Sequence, residues 1–194
     1  NKKLIMPNTN SSTIKVQKRD GRLEPLDINK IHFVVEEACE GLSGVSSSQI
    51  EMNANIQFYD GMTTKDIQNV LVRSANDLIS LEAPNYQYAA ARLLSYDVRK
   101  EAHGQYEYIP LLKLVLRNIR LGVYDKGIVD KYTTSDIKRF NTWIRRDRDL
   151  SFTYAGLRQI VDKYLVQDRS TGQLYETPQD MYMMIAATLF ADYP

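Results

Sequence analysis

Apolar residues recur at intervals of three and four between residues 31 and 42. This spacing places them on one face of a helix and predicts a helix that lies on a hydrophobic core. Asp27 or Asn29 is the expected N-cap, and Gly41 and Gly44 are expected to end the helix. The apolar stripe consists of Ile31, Val34, Val35, Ala38, Cys39 and Leu42.

Similar patterns predict three more helices before residue 105. One covers about residues 47–57. The next starts in the sequence GMTTKDI, where Thr63 and Asp66 have the spacing of a capping box. The fourth opens after Pro84 and ends at Gly104, because glycine favours the left-handed conformation found just past the end of many helices.

The residues ahead of the first helix predict a β-hairpin. The sequences TIKVQKR and RLEPLDI flank Asp20 and Gly21, a pair that favours a two-residue type I′ turn. Such a turn would place Arg19 opposite Arg22. Pro25 cannot donate a hydrogen bond to a neighbouring strand, so we expect the second strand at the edge of the sheet.

Helical patterns dominate the second half of the chain, with one small hairpin expected in the sequence QDRSTGQLYE. We therefore expect a mainly α protein, in which a small α+β unit (a hairpin sheet capped by four helices) precedes an all-α region. The predicted divisions are a disordered tail at 1–13, the α+β unit at 14–104 and the helical region at 105–194. The later helices are predicted at 110–121, 134–146, 153–164 and 178–191.

Composition and charge exclude several classes of function. The chain has 43% hydrophobic and 25% charged residues, as ordinary globular proteins do, and its formal net charge of +1 provides no broad field for nucleic acid or a membrane. Cys39 is the only cysteine, so no internal disulfide or paired-cysteine zinc site can form. No apolar run approaches the ~20 residues of a membrane span, and no signal peptide is apparent. We expect a cytoplasmic protein.

Basic residues crowd the predicted turn and the start of the first helix. Like charges repel at this spacing, and the helix dipole opposes a lysine in the first turn. The residues alone leave two explanations open: a solvated surface, which is the commoner one, or an anion bound at the helix N-terminus. No Walker-type or GxGxxG loop is present. The four cations are Lys18, Arg19, Arg22 and Lys30, and Glu24, Thr64 and Lys100 could complete an anion site.

Several stretches resemble a known family. VQKRDGRLEPLDINKI, QFYDGMTTKDIQ, APNYQYAAARLL and RKEAHGQYE are similar to the ATP cone of class I ribonucleotide reductase large subunits. GVYDKGIVDKYT and the sequence from RDRDLSFTYAGL to MIAATLF resemble the region directly after the cone in the aerobic, diphosphate-reducing enzyme. The resemblance covers residues 14–194. The cone also occurs in anaerobic reductases and in transcriptional repressors, whereas YLVQDRSTGQLYETPQ is much more specific to the aerobic large subunit.

The resemblance implies an allosteric site that controls overall activity, with ATP as activator, dATP as inhibitor and Mg²⁺ accompanying the nucleotide. In this sequence the phosphate-facing positions of the family correspond to Lys18, Arg19, Thr64 and Lys100. The base- and ribose-side positions correspond to Glu24, Leu26, Asp27, Lys30 and Ile31. Three positions depart from the family, which often has Asn in place of Asp27 and His in place of Gln68 and Asp97.

The resemblance also implies chemistry that this chain lacks. Catalysis in the family uses a cysteine thiyl radical, generated by a radical-bearing small (beta) subunit, inside a barrel with two further cysteines. None of these motifs occurs here, and Cys39 is expected in the core, so we expect the chain alone to be inactive and to need no catalytic cofactor. Its expected partners are the remainder of the large subunit, the small subunit and further copies of the large subunit.

Two other classes stay open as alternatives. A cone-bearing transcriptional regulator would carry paired cysteines of a zinc ribbon before the cone, and a single cysteine argues against it. A helical interaction module without a ligand would leave the hairpin cations solvated. A nucleotide-dependent shift in melting temperature would separate the nucleotide-binding reductase segment from this ligand-free module.

Overall fold

The computed structural model describes residues 14–18 and 20–193. Its sheet has three strands, β1 (Lys15–Gln17), β2 (Leu23–Pro25) and β3 (Met62–Thr63), in the order β2-β1-β3. β1 pairs antiparallel with β2 and parallel with β3. β2 is an edge strand that ends at Pro25, as predicted from the missing proline N–H. β3 was not predicted, because two residues carry no alternating pattern.

The turn of the hairpin differs from the prediction. Lys18 donates its N–H to the carbonyl of Arg22 at 2.8 Å, and Gly21 donates to the carbonyl of Lys18 at 2.9 Å. Three residues therefore separate the pair Lys18 and Arg22, so the two-residue type I′ turn and the pairing of Arg19 with Arg22 are wrong. Gly21 has a φ of +85°, as the last residue of a three-residue hairpin loop requires. Arg19 itself lies outside the described residues.

Four helices pack on one another and share one hydrophobic core with this sheet. Asp27 is the N-cap of the first, since its carboxylate accepts the N–H groups of Asn29 and Lys30. The predicted cap at Thr63 is confirmed, and Gly104 ends the fourth helix with a φ of +73°. The helices are α1 (Ile28–Cys39), α2 (Ser47–Asn55), α3 (Thr64–Asn76) and α4 (Tyr86–His103).

The second half of the chain is helical, as predicted, but it is divided more finely. The helix expected over 134–146 ends at Trp143 and is succeeded by a 3₁₀ helix. The hairpin expected at 167–176 is reduced to a bridge between Gln167 and Leu174. The elements are α5 (Leu111–Arg120), α6 (Gly127–Lys131), α7 (Thr134–Trp143), the 3₁₀ helix (Arg146–Ser151), α8 (Tyr154–Lys163) and α9 (Pro178–Leu189). The fold is thus mainly α with one small sheet.

The hydrophobic core does not divide at residue 104. Leu157 and Val161 of α8, together with Leu174, are buried in the same core as the sheet and α1–α4. A second core forms around α5 and α7. Helix α8 packs on α4, so the helical region completes the core of the α+β unit instead of standing apart from it.

A buried polar cluster fixes the end of α4 to the start of α9. Nδ1 of His103 accepts the N–H of Ile109, so Nε2 carries the proton and donates to Asp180 at 3.1 Å. Arg146 donates to the other oxygen of Asp180 at 2.7 Å. Burial opposes ionisation of Asp180, but the bond from His103 and the charge of Arg146 hold its pKa well below the usual range. Asp180 therefore stays charged.

Within the described part of the chain, no helix combines the length and apolar character needed to cross a membrane.

Candidate functional site

A cavity of about 400 Å³ lies between the hairpin, the first turns of α1 and α3, and the last turns of α4. Its volume falls in the range of about 300–1,000 Å³ that is typical of small-molecule sites. The residues that line it are Val16, Lys18, Glu24, Pro25, Leu26, Asp27, Lys30, Ile31, Val34, Thr64, Ile67, Gln68, Leu71 and Lys100.

The structure brings eight of the predicted site residues together around this one cavity. They come from the hairpin, the loop before α1 and three different helices. The ninth predicted residue, Arg19, lies outside the described part of the chain. The eight are Lys18, Glu24, Leu26, Asp27, Lys30, Ile31, Thr64 and Lys100.

The cavity has an apolar floor beneath a charged rim. Val16 of β1, Ile31 of α1 and Ile67 and Leu71 of α3 are buried and supply the floor. Val16, Ile67 and Leu71 were not predicted as site residues, although the helical stripes that carry Ile67 and Leu71 were recognisable. Such a surface can hold a flat apolar group while charged groups bind at the rim.

Two helix N-termini meet at the cavity, and they are not equivalent. At α1, the carboxylate of Asp27 accepts the N–H groups of Asn29 and Lys30 at 3.1 and 3.3 Å, so a negative charge already occupies this end. At α3, the cap is the hydroxyl of Thr63, which donates to the carboxylate of Asp66 in the first turn at 2.6 Å, and Thr64 faces the cavity. Both helix starts thus carry a carboxylate, but only Asp27 is among the residues that line the cavity, so an anion inside it meets less repulsion at α3 than at α1, the helix start that the sequence suggests.

The hairpin cations have carboxylate partners. Lys18 lies 3.4 Å from Glu24, and Lys30 lies 3.5 Å from Asp27. Arg22 pairs with Asp20 at 2.7 Å and with Glu24 at 3.4 Å. The charges of the three described cations are therefore balanced within the chain, and they do not by themselves require an anion. These pairs are exposed to solvent, which screens them, so they contribute little to stability.

The described rim still carries an excess of positive charge. Its cations are Lys18, Lys30 and Lys100, and its carboxylates are Glu24 and Asp27. Weak exposed pairs can exchange partners at low cost, so a ligand with several negative charges can recruit these lysines. The arrangement can therefore accept an anionic group together with an apolar one.

Gln68 and Asp97, the two positions where the family often has His, border a small neighbouring cavity of about 50 Å³. The amide of Gln68 donates to the carbonyl of Leu93 at 2.7 Å and so ties α3 to α4. Thr64 and Lys100 line both cavities. A substitution at Gln68 would thus alter the packing of the two helices as well as the cavity wall.

Cys39 has the environment of a core residue. It is half-buried, packs against the main core and lies on α1 away from the cavity rim. Burial raises the pKa of its thiol to about 11, so the reactive thiolate is scarce near neutral pH. No group of three or more His, Cys, Asp or Glu side chains suited to a metal ion occurs among residues 14–18 and 20–193.

A second cavity, of about 580 Å³, is built from the second half of the chain. It is mostly apolar and is lined by residues that include Tyr124, Ile128, Met184 and Leu189. None of the eight predicted site residues that the structure describes lines it.

Two family models match this chain. The model of the ATP cone domain matches residues 14–101, which contain the hairpin, α1–α4 up to Glu101, and the whole charged cavity. The model of the ribonucleotide reductase all-alpha domain matches residues 150–193, which contain α8 and α9. The fold and the cavity are thus those of an ATP cone joined to reductase all-alpha sequence.

Curated relatives agree with both matches. The chain is 46% identical over 184 residues to ribonucleoside-diphosphate reductase 1 subunit alpha of Salmonella typhimurium and 45% identical to that of Escherichia coli, in each case over 95% of this chain and 24% of the relative. It is 40% identical over 183 residues to the subunit alpha of Enterobacteria phage T4, over 93% of this chain and 24% of the relative. The chain belongs to the ribonucleoside-diphosphate reductase alpha-subunit family and spans about a quarter of the length of these relatives.

Proposed function

We propose that the charged cavity binds ATP or dATP and that this segment is the overall-activity regulatory part of a ribonucleoside-diphosphate reductase. One observation carries the proposal: residues from the hairpin, α1, α3 and α4, chosen by family resemblance, line a single cavity within the segment that matches the ATP cone. Their chemistry is that of a site for an apolar base and a charged tail.

The phosphates belong beside Thr64, Lys18 and Lys100. The N-terminus of α3 offers a partial positive charge and a hydroxyl, and the two lysines add full charges on the same cavity. Arg19 is expected to join them. The capped start of α1 is less suitable, because Asp27 would repel a phosphate there.

The base and the ribose belong on the α1 side. Glu24 and Asp27 are hydrogen-bond acceptors that suit ribose hydroxyls or an exocyclic amine. Leu26 and Ile31 supply the apolar wall for the base, and Lys30 stands at the rim. Mg²⁺ would bind to the phosphates of the nucleotide, and one or two carboxylates and several waters would complete its coordination.

The remaining parts of the proposal concern the whole protein. Its activity would be the conversion of ribonucleoside diphosphates to deoxyribonucleotides for DNA synthesis, in the cytoplasm, with ATP activating and dATP inhibiting. The partners would be the rest of the large subunit, a radical-bearing small subunit and other large subunits. Cys39 is half-buried against the main core, and the catalytic cysteines would belong to the rest of the large subunit.

A helical module without a ligand is the second candidate. The ion pairs of Lys18 with Glu24 and of Lys30 with Asp27 favour it, because they balance the rim in the absence of any anion. This candidate predicts that nucleotides leave the protein's stability unchanged.

Calorimetric titration with ATP and dATP, paired with thermal unfolding, tests the proposal. At ten times the dissociation constant a ligand stabilises the fold by about 1.4 kcal/mol, which for a chain of this size corresponds to roughly 3–6 °C. We expect micromolar binding and such a shift. No heat and no shift with millimolar nucleotide would favour the ligand-free module.

A further inference from the structure

Glu101, next to Lys100 on α4, is tied to two parts of the chain at once. Its side chain is only 8% exposed. One carboxylate oxygen accepts the N–H of Leu174 at 3.1 Å, and the other lies 3.3 Å from Nζ of Lys65. The backbone carbonyl of Glu101 also accepts a hydrogen bond from Gln173 at 3.3 Å. Glu101 therefore anchors the 167–176 segment to the last turn of α4.

The start of α3 and the end of α4 line the cavity and also hold the 167–176 segment. Thr64 of α3 and Lys100 of α4 line the cavity, and the next residue of each helix, Lys65 and Glu101, forms the ion pair beneath the hairpin. Adjacent residues of a helix move together, because the backbone hydrogen bonds keep each turn rigid. A change in the spacing of α3 and α4 at the cavity must reach the ion pair as well.

The hairpin carries contacts onward to the second core. Leu174 is buried in the core of the α+β unit, whereas the carbonyl of Tyr175 accepts hydrogen bonds from Asn118 at 2.9 Å and Arg117 at 3.1 Å. Both donors lie on α5. One short segment thus connects the last turn of α4 to a helix outside the ATP cone match.

We propose that Lys65 and Glu101 transmit occupancy of the charged cavity to the 167–176 hairpin. The inference rests on the proposed nucleotide site. A polyphosphate that contacts both Thr64 and Lys100 holds the start of α3 and the end of α4 at one spacing, and the ion pair then holds Glu101 against Leu174. The ligand favours this state because it gains contacts there that a wider spacing would not offer.

Hydrogen exchange at the amides of residues 172–176, with and without saturating ATP, measures the coupling, because exchange reports local opening of the hairpin. The variants are Lys65→Met and Glu101→Gln, which remove the ion pair while Gln keeps an oxygen for the N–H of Leu174. Lys131→Met is the matched control, since Lys131 is similarly exposed (47%, against 51% for Lys65) and pairs with Asp192 at 3.0 Å, and neither partner lines the charged cavity.

We expect ATP to slow amide exchange at residues 172–176 by about fivefold or more in the wild type and in Lys131→Met. This factor is in line with common coupling strengths. In Lys65→Met and Glu101→Gln, ATP should slow this exchange by less than about twofold. The dissociation constants for ATP, measured by calorimetry, should stay within about threefold of wild type. Should Glu101→Gln fail to fold, Lys65→Met decides alone, because it leaves the bond to Leu174 intact.

The outcomes separate the inference from the function beneath it. If calorimetry detects no ATP binding to the wild type, both the proposed nucleotide site and the proposed coupling are wrong. If ATP binds but the hairpin exchanges at the same rate, only the coupling is wrong. If both variants bind ATP and respond as the wild type does, the signal passes through other contacts and the role of Lys65 and Glu101 is overturned.

Discussion

Asp149 of the 3₁₀ helix should destabilise the protein at neutral pH, and its replacement by Asn should stabilise it. The side chain is buried, with the residue 2% exposed. One carboxylate oxygen accepts the hydroxyl of Tyr108 at 3.1 Å, but the other is buried and has no hydrogen-bond partner among the described residues. Burial raises the pKa of Asp149 from 3.8 to about 6, against the opposing effects of the nearby Gln179 amide, the Tyr108 hydroxyl and the charge of Arg146.

The size and the pH window of the effect depend on this shift. Because the pKa is raised in the folded state, the protonated form is favoured there, and stability falls as pH rises from about 4 to above 6. A difference of about two pKa units corresponds to roughly 3 kcal/mol at pH 7.5, and roughly half of that cost is already present at pH 5. Asn carries no charge, and its amide oxygen can still accept the hydroxyl of Tyr108.

Urea unfolding of wild type and Asp149→Asn at pH 7.5 and pH 5.0 measures the effect. We expect the variant to gain about 1–3 kcal/mol at pH 7.5 and clearly less at pH 5.0. Asp147→Asn is the control, because Asp147 is exposed and its hydrogen bond with Arg145 lowers its pKa, so that variant should gain nothing at either pH. A loss of stability in Asp149→Asn at pH 7.5, or the same gain at both pH values, would refute the reasoning.

Three further predictions concern the site, the core and the chemistry. Lys100→Ala should weaken ATP binding about tenfold or more in calorimetry, the cost of one charge-assisted hydrogen bond, whereas Lys113→Ala on α5 should not; equal effects would remove Lys100 from the site. Arg146→Met should destabilise the fold by about 3–5 kcal/mol in urea, because Asp180 stays charged and buried; a neutral result would show that His103 suffices. The purified chain should form no deoxyribonucleotide with any radical-bearing small subunit and reductant; turnover that disappears in Cys39→Ser would contradict our assignment of that cysteine to the core.

Features encoded within a few residues could be predicted from the sequence. The cap at Thr63 and the stop at Gly104 depend on local chemistry, and both were predicted correctly. The turn type was not, because Asp-Gly suits both a two-residue loop and the end of a three-residue loop. β3 and α6 are too short to show a period, and β3 depends on pairing with β1, far away in the sequence.

The site was predictable in its residues but not in its electrostatics. Resemblance identified the lining side chains, whereas the residues alone favoured a solvated surface. The pairing of Lys18 with Glu24 depends on the hairpin register, which was predicted wrongly. The buried contact of His103 with Asp180 joins residues 77 positions apart, and no local pattern predicts such a contact.

Amide chemical shifts of the labelled protein, titrated with ATP, test the central claim most directly, because they report both binding and its location. We predict saturable shifts centred on Lys18, Thr64 and Lys100, with the apolar cavity around Met184 and Leu189 unaffected. Shifts confined to that apolar cavity, or none anywhere at millimolar ATP, would contradict the assignment of the charged cavity as the nucleotide site.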